Sequence, residues 1–564
     1  MGPIIVQSDR SILLEVNHPD FVEARDFLCT FSELTKSPEH LHTYNISPVS
    51  LWNAASGGVK SSEIVENLER LSKYPVPDIV NRDISDFMGR YGKIKLLDYN
   101  KEFFKLTFED HGYFIRALNT KKIKDLSADQ IGPSEVLVPF LNRGDIKLNL
   151  IKIGYPVEDL TSFQGGDELE IDMLDGKANS GEDFSLRDYQ NLSIDAFYGQ
   201  NLPGSCAGVV VLPCGSGKTV VGIGCIAKIK MHTLILTTST TAANQWANEL
   251  KDKTSIDPEN VGLYTGSKKE VKPVTVSTYQ MLTHRKDKKS DFKHLSVLKD
   301  RPWGFVIFDE VHLLPAPVFR FSAEVQAKRR LGLTATFIRE DHKETDVFSL
   351  IGPKKYDVPW KELEKKGWIA SAVCSEVKVP FPKHLEMDYA ISNSKEQFRL
   401  ACENSNKLKV LKVLLEKYKD AQVLIIGHYL RQLEEIAAEF ANGEIITGNT
   451  PQDEREVKYN QFRNHSIKHL VVSKVANFAI DLPDANILIQ VSGTYGSRQE
   501  EAQRLGRILR PKPHNNEARF YTLTSMETCE EEFSHKRQLF LAEQGYSYNI
   551  YSVKEKKGGF ELVE

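Results

Sequence analysis

The stretch GVVVLPCGSGKTVVGIGCIAKI, residues 208–229, decides the fold. An apolar run of strand length ends at Pro213, and Gly215, Ser216 and Gly217 lead straight into Lys218 and Thr219, where a helical pattern begins. Such a turn gathers backbone N–H groups at a helix N-terminus, where they can wrap a phosphate. Leu212, Pro213, Cys214, Gly215, Ser216, Gly217, Lys218 and Thr219 are therefore the expected nucleotide loop. Lys218 would bridge the β- and γ-phosphates and the Thr219 hydroxyl would take one position on an octahedral Mg²⁺, so ATP and Mg²⁺ are the expected cofactors. Leu212 stands where the general pattern begins with glycine.

Around this stretch, apolar runs of strand length alternate with helical segments: TLILTTS (233–239), VTVSTY (274–279), GFVIFDE (304–310) and RRLGLTAT (329–336). A second series follows, with QVLIIGH (422–428), GEIITG (443–448), HLVVSK (469–474), ANILIQV (485–491) and RFYTLT (519–524). Alternation of this kind predicts parallel sheets flanked by helices, so the fold class is α/β with two tandem domains, 184–356 and 421–564, joined by a connector over 357–420. Upstream, helical spacing of Phe21, Ala24, Phe27, Leu28 and Phe31 and of Ile64, Val65, Leu68 and Leu71 predicts a small helical domain over 1–90. Short alternating segments such as KIKLLDY, KLTFEDHGYFIRAL and DIKLNLIKIGY predict a β-rich module over 91–160. Residues 161–183 are acidic and rich in Gly and Ser, and read either as a linker or as an inserted surface loop.

The whole chain of 564 residues has room for three or four domains. Its 41% hydrophobic and 27% charged residues exclude global disorder. Lys plus Arg (73) against Asp plus Glu (77) leave a net charge of −4, so a polyanion site has to be a local cluster. Seven cysteines without a CxxC pair suit neither a disulfide framework nor a zinc site and predict a reducing, cytoplasmic setting, nucleoid-associated in a prokaryote. No apolar run reaches membrane-spanning length, so no membrane partner is expected.

Asp309 and Glu310 close the apolar strand GFVIFDE, at the edge where open α/β sheets bind ligands. Asp309 is the expected Mg²⁺ ligand, which leaves Glu310 to orient and deprotonate the attacking water. Phosphoryl transfer also needs positive charge opposite the metal. QRLGRILRP supplies Arg504, Arg507 and Arg510, of which Arg507 and Arg510 lie three apart and share one helical face. They read either as arginine fingers from the second domain or as a basic helix paired with acids such as Glu500 and Glu501.

Taken together these motifs resemble a superfamily 2 helicase, and the likeness over 185–525 is close to the XPB family of DNA repair and transcription helicases. It is carried by LRDYQ (186–190), TTSTTAANQW (237–246), DEVH (309–312), GLTATFIRED (332–341), LIGPKKYDVPWKELEKKGWIA (350–370), DLPDANILIQVSG (481–493) and GSRQEEAQRLGRILRPK (496–512). The resemblance implies two RecA-like domains that close on ATP, Gln190 reading adenine, and 3′ to 5′ unwinding of single-stranded or forked DNA. It implies a DNA-opening role for Arg339, Glu340 and Asp341, and a coupling role for His312, Thr334 and Thr336 between the nucleotide and the DNA path. SKVANFAIDLP departs from the pattern, with Ala476 and Asn477 where many relatives carry Gly-Asp, while Asp481 fits the later carboxylate. The first 180 residues resemble the compact N-terminal region of prokaryotic members.

Residues 380–403 occupy the place of a helical thumb, in which Phe398 and Arg399 read either as DNA contacts or, by preference, as helix-core packing. The basic stretch 284–301 reads either as a set of phosphate contacts or as a solvated loop. Lys407, Lys409, Lys412, Lys417 and Lys419 are expected on the exposed side of a docked helix. The main expectation is an ATP-dependent DNA helicase acting as a monomer. A duplex DNA translocase and an ATP-toggled scaffold whose residues 1–90 recruit a repair nuclease are the competing functions.

Overall fold

The computed structural model describes residues 2–564 except 29, 37–39, 57, 101, 140–141, 161–165, 200–205, 285–293, 295–300, 314–326, 328, 336–346, 348–350, 359, 474–484, 494–497, 507, 510–515, 544, 547, 557–558 and 564. It divides into two compact units, Met1–Val211 with Gly217–Asp357, and Leu212–Ser216 with Val358–Glu564.

The first unit opens with β1 (Ile4–Val6), β2 (Ser11–Glu15), β3 (Glu33–Lys36) and β4 (Leu41–Asn45), an antiparallel sheet in the order β1-β2-β4-β3. Helices Phe21–Leu28, Pro48–Ser56, Ser61–Leu71 and Asp78–Arg90 accompany it. The expectation of an all-helical 1–90 is thus corrected. In SILLE, Ile12 and Leu14 are buried while Ser11, Leu13 and Glu15 are not, a period of two that is too short to outweigh the helical spacing beside it. Helix Ser61–Leu71 does follow the helical reading: Ile64, Leu68 and Leu71 share its buried face. Burial of each such side chain contributes about 1.5–3 kcal/mol.

Next come β5 (Ile94–Asp98), β6 (Phe103–Phe108), β7 (Gln130–Gly132), β8 (Glu135–Pro139) and β9 (Val157–Asp159), in the order β7-β8-β6-β5-β9. Two segments expected as strands are helices instead, His111–Leu118 and Arg143–Lys152. Asp110 caps the first, its Oδ1 accepting from Gly112 N at 2.6 Å and Tyr113 N at 3.2 Å. In the second, Ile146 and Leu150 stand four apart and are fully buried, and Lys147 turns inward to Asp159 at 2.8 Å. Arg143 meets the same carboxylate at 2.7 Å. Withdrawal from water outweighs the pull of Asp159 on Lys147, whose ammonium is pushed down to about 8. The buried Arg330 adds a third positive charge near Asp159.

The acidic segment is neither free linker nor loose loop over its described part. DELEIDML alternates, burying Leu169 and Ile171 and leaving Glu168, Glu170 and Asp172 exposed. Its backbone pairs with later segments of the same unit, Leu169 N donating to Lys230 O and Leu174 N to Lys253 O, each at 3.0 Å. Beyond it, β10 (Gly176–Lys177) and β11 (Asp183–Phe184) form a short hairpin.

The first motor sheet contains β12 (Ala207–Val211), β13 (Thr233–Thr237), β14 (Val261–Tyr264), β15 (Val274–Thr278), β16 (Phe305–Asp309), β17 (Arg329–Thr334) and β18 (Lys354–Asp357). Their order is β14-β15-β13-β16-β17-β12-β18, with every pair parallel. Val209, Leu234, Val306 and Phe308 are among the residues that fill one face. Because β16, β17 and β12 are neighbours, Asp309, Thr334 and Val211 end up along one edge.

The second unit contains β19 (Ser371–Val379), β20 (Val423–Gly427), β21 (Ile445–Ile446), β22 (His469–Ser473), β23 (Ile487–Gln490), β24 (Glu517–Ser525), β25 (Tyr548–Lys556) and β26 (Gly559–Val563). The order is β21-β22-β20-β23-β24-β19-β25-β26, parallel except for the final hairpin. β19 pairs with β24 over nine residues, so this domain starts well before 421 and the connector boundaries are corrected. The strand was hard to read because Ser375 and Glu376 interrupt SAVCSEVKV, yet both are buried, and Glu376 accepts from Ser534 Oγ at 2.9 Å.

Helices Glu386–Ile391, Ser394–Cys402 and Asn406–Lys417 fill the thumb-like region. Phe398 is fully buried with its ring near Phe533, in line with helix-core packing, whereas Arg399 is an exposed partner of Glu396. Lys407 is not exposed as expected: it is 1% exposed, 2.7 Å from the buried Glu530, and donates to Val491 O at 2.9 Å. The six described cysteines are free thiols; Cys29 lies outside the described residues.

Candidate active site

The loop after β12 turns through left-handed backbone at Gly215 (φ 79°) and Gly217 (φ 81°), conformations that favour glycine. A Cβ on Gly217 would lie 2.7 Å from Gln190 Nε2, so that amide would have to shift to admit a side chain. Ser216 is fully buried and its Oγ donates to Pro213 O at 2.7 Å, which ties the turn to itself. Leu212 is also fully buried, a core residue where the general pattern carries glycine. Helix Lys218–Ile229 starts immediately afterwards, and its first N–H groups have no partner within the helix. Cys214, Gly215 and Thr219 are half-buried.

Lys218 and Glu310 meet, Nζ lying 3.4 Å from Oε1. Glu310 has φ 51°, a left-handed backbone that costs a residue with a Cβ roughly 1 kcal/mol or more and occurs preferentially at working sites. Its second oxygen is 3.4 Å from His312 Nδ1, and the same nitrogen is 2.7 Å from Thr334 Oγ1. Glu310, His312 and Thr334 therefore form one chain of contacts from β16 to β17. Asp309 is held by two aromatic donors: Trp246 Nε1 donates to Oδ2 at 2.9 Å, and Tyr279 OH donates to the main-chain oxygen at 2.7 Å. Withdrawal from water and the adjacent Glu310 push the Asp309 carboxyl up to about 6, against the Trp246 hydrogen bond and the Lys218 charge.

The oxygen ligands on offer, a carboxylate on Asp309 and a hydroxyl on Thr219, suit a hard cation. Among the described residues no group of three or more His, Cys, Asp or Glu could hold a metal by itself.

Gln190 is 4% exposed near the start of helix Asp188–Tyr198, and its Oε1 accepts from Arg187 N at 3.0 Å. The amide expected to read adenine thus has its oxygen engaged in capping that helix and its nitrogen against the loop. Thr336, Arg339, Glu340, Asp341, Arg507 and Arg510 lie outside the described residues, as do Ala476, Asn477, Asp481 and most of 284–301. Of the acids proposed to pair with the arginines, Glu501 is fully buried and engaged by Arg537 at 3.4 Å and by Gln490 Nε2 at 3.1 Å. Arg504, on the same helix Arg498–Gly506, is also fully buried and donates to Gln490 Oε1.

Trp246 and Tyr279 were missed by the sequence reading. The available signal was chemical: a buried Trp or Tyr needs a partner for its polar hydrogen, and both follow strands that end at this edge.

The model of the ERCC3/RAD25/XPB C-terminal helicase family matches residues 363–561. Type III restriction enzyme, res subunit, matches 183–339, and helicase conserved C-terminal domain matches 4–132. The DNA 3′-5′ helicase XPB of Mycobacterium tuberculosis is 46% identical over 557 residues, 99% of this chain and 99% of that protein. The chain belongs to the XPB helicase family. Another XPB relative, the DNA 3′-5′ helicase of Kineococcus radiotolerans, is 44% identical over 99% of this chain and 98% of its own length. The XPB helicase/translocase subunit of general transcription and DNA repair factor IIH from Enterocytozoon bieneusi is 34% identical over 97% of this chain and 92% of its own. The likeness to XPB proteins thus extends through the two small domains that precede the motor. Among the described residues no helix is long and apolar enough to cross a membrane.

Proposed function

We propose that this chain is an ATP-dependent 3′-5′ DNA helicase that serves DNA repair. One observation carries the reading: the lysine of a phosphate-type loop and the second acid of an Asp-Glu pair lie 3.4 Å apart, at the edge of a parallel sheet in an XPB-family chain. A phosphate entering the loop competes with Glu310 for the Lys218 ammonium. Release of Glu310 from that cation makes it a better proton acceptor for water attacking the γ-phosphate. Asp309 and Thr219 would hold Mg²⁺, which would supply charge neutralisation to the nucleotide's phosphates. His312 and Thr334 carry any shift of Glu310 toward β17, the strand that leads to Thr336 and the Arg339, Glu340, Asp341 element. Arg507 and Arg510 are assigned to the transferring phosphate as fingers, and Gln190 to the adenine side of the loop.

Glu310→Gln tests the assignment. ATP turnover should be lost while nucleotide binding is retained; undiminished hydrolysis would overturn Glu310 as the base.

A duplex translocase is the second reading, favoured by the helicase/translocase name of the Enterocytozoon relative. Unwinding of a forked duplex, compared with displacement of a triplex strand, separates the two. The expected setting is the cytoplasm, at the nucleoid in a bacterium, with the chain working as a monomer on single-stranded or forked DNA.

A further inference from the structure

Gly222 lies on the helix that follows the phosphate loop, and a Cβ built there would fall 2.4 Å from Cη2 of Trp246. The absent methyl is the notch in which the indole sits. Trp246 is 1% exposed, on helix Thr240–Lys253, and its Nε1 reaches Asp309 Oδ2 at 2.9 Å. A buried indole N–H takes an acceptor as a matter of course. Here the acceptor is the first carboxylate of the Asp-Glu pair, which makes the bond a charge-assisted one.

Tyr279, 3% exposed, holds the main-chain oxygen of the same residue from a different element. The side chain and the backbone of Asp309 are therefore each pinned by a separate aromatic donor. Neither donor belongs to the loop or to β16.

We propose that Trp246 is a positioning residue for the metal-holding carboxylate: by occupying Oδ2 it fixes the rotation in which Asp309 would meet Mg²⁺. The inference rests on the reading of Asp309 as the Mg²⁺ ligand. Mg²⁺ tolerates little departure from octahedral geometry, so a carboxylate free to rotate binds it less well. Partners that orient a metal ligand typically change metal affinity by about 10–100-fold when removed.

The test uses the full-length chain and a fluorescent ADP analogue, with binding followed as Mg²⁺ is titrated and again in EDTA. Trp246→Phe should need about tenfold more Mg²⁺ to reach the same binding, with affinity in EDTA unchanged. Gly222→Ala keeps the indole and removes its seat, so it should show the same shift. It also stands in for Trp246→Phe should thermal unfolding show that variant to be misfolded. An unchanged Mg²⁺ midpoint in a folded variant, or an equal loss with and without metal, overturns the proposal. A wild-type chain that binds the analogue equally with and without Mg²⁺ overturns the metal reading itself, before any variant is compared.

Discussion

Charged residues cluster under both parallel sheets, but in different ways. At the edge of the first, the side chains of Lys218 and Glu310 keep 11% and 19% of their surface, meet at 3.4 Å, and include a left-handed Glu310. In the second, Lys407 and Glu530 are 1% and 0% exposed and meet at 2.7 Å, with Glu501, Arg537, Arg504 and Gln490 equally enclosed nearby. The first arrangement is loose enough to exchange partners with a ligand; the second has nothing to exchange with. Residual exposure, rather than charge alone, separates the exchangeable cluster from the enclosed one.

The largest expected effect lies in the looser cluster. Glu310→Gln should lower ATP turnover about 10²–10⁴-fold in steady-state assays, with little change in melting temperature. In the enclosed cluster the signs reverse. Glu530→Gln leaves the Lys407 ammonium buried without its counter-charge, and chemical denaturation should show a loss of about 3–5 kcal/mol, with turnover per folded molecule unaltered. A turnover defect without loss of stability would break the contrast.

Asp159 provides a third point on the same scale, since Arg143, Lys147 and Arg330 all bear on it. These cations hold its carboxyl well below the usual range despite its withdrawal from water. Its folded value is thus depressed, so its contribution is present above the unfolded value of about 3.9 and is lost as pH falls below that toward the folded value. The stability gap between the wild type and Asp159→Asn should therefore shrink as pH falls below about 4. The smallest effect is at a solvent-facing cap: Asp110→Ala should cost about 1 kcal/mol and leave turnover alone.

The motor was legible because its signals are local. A phosphate loop, an Asp-Glu strand end and buried parallel strands each declare themselves within about ten residues. The front domains were misread where two periods competed. DIKLNLIK alternates as a strand does, yet Ile146 and Leu150 also stand four apart, and the ion pair of Lys147 with Asp159 favours the helix. Lys407 was expected in solvent because its partner Glu530 lies 123 residues away, beyond any local pattern. For Trp246 and Tyr279 the sequence signalled only that each polar hydrogen needs a partner; that the partner is Asp309 depends on tertiary contacts.

β19 has a practical consequence for dissection of the chain. It runs between β24 and β25, yet it precedes the helices at 386–417. A fragment cut at residue 421 would remove an interior strand, strand the terminal hairpin, and open nine residues of β24 to any passing edge. Such a piece should aggregate, whereas one begun near 358 keeps its sheet whole.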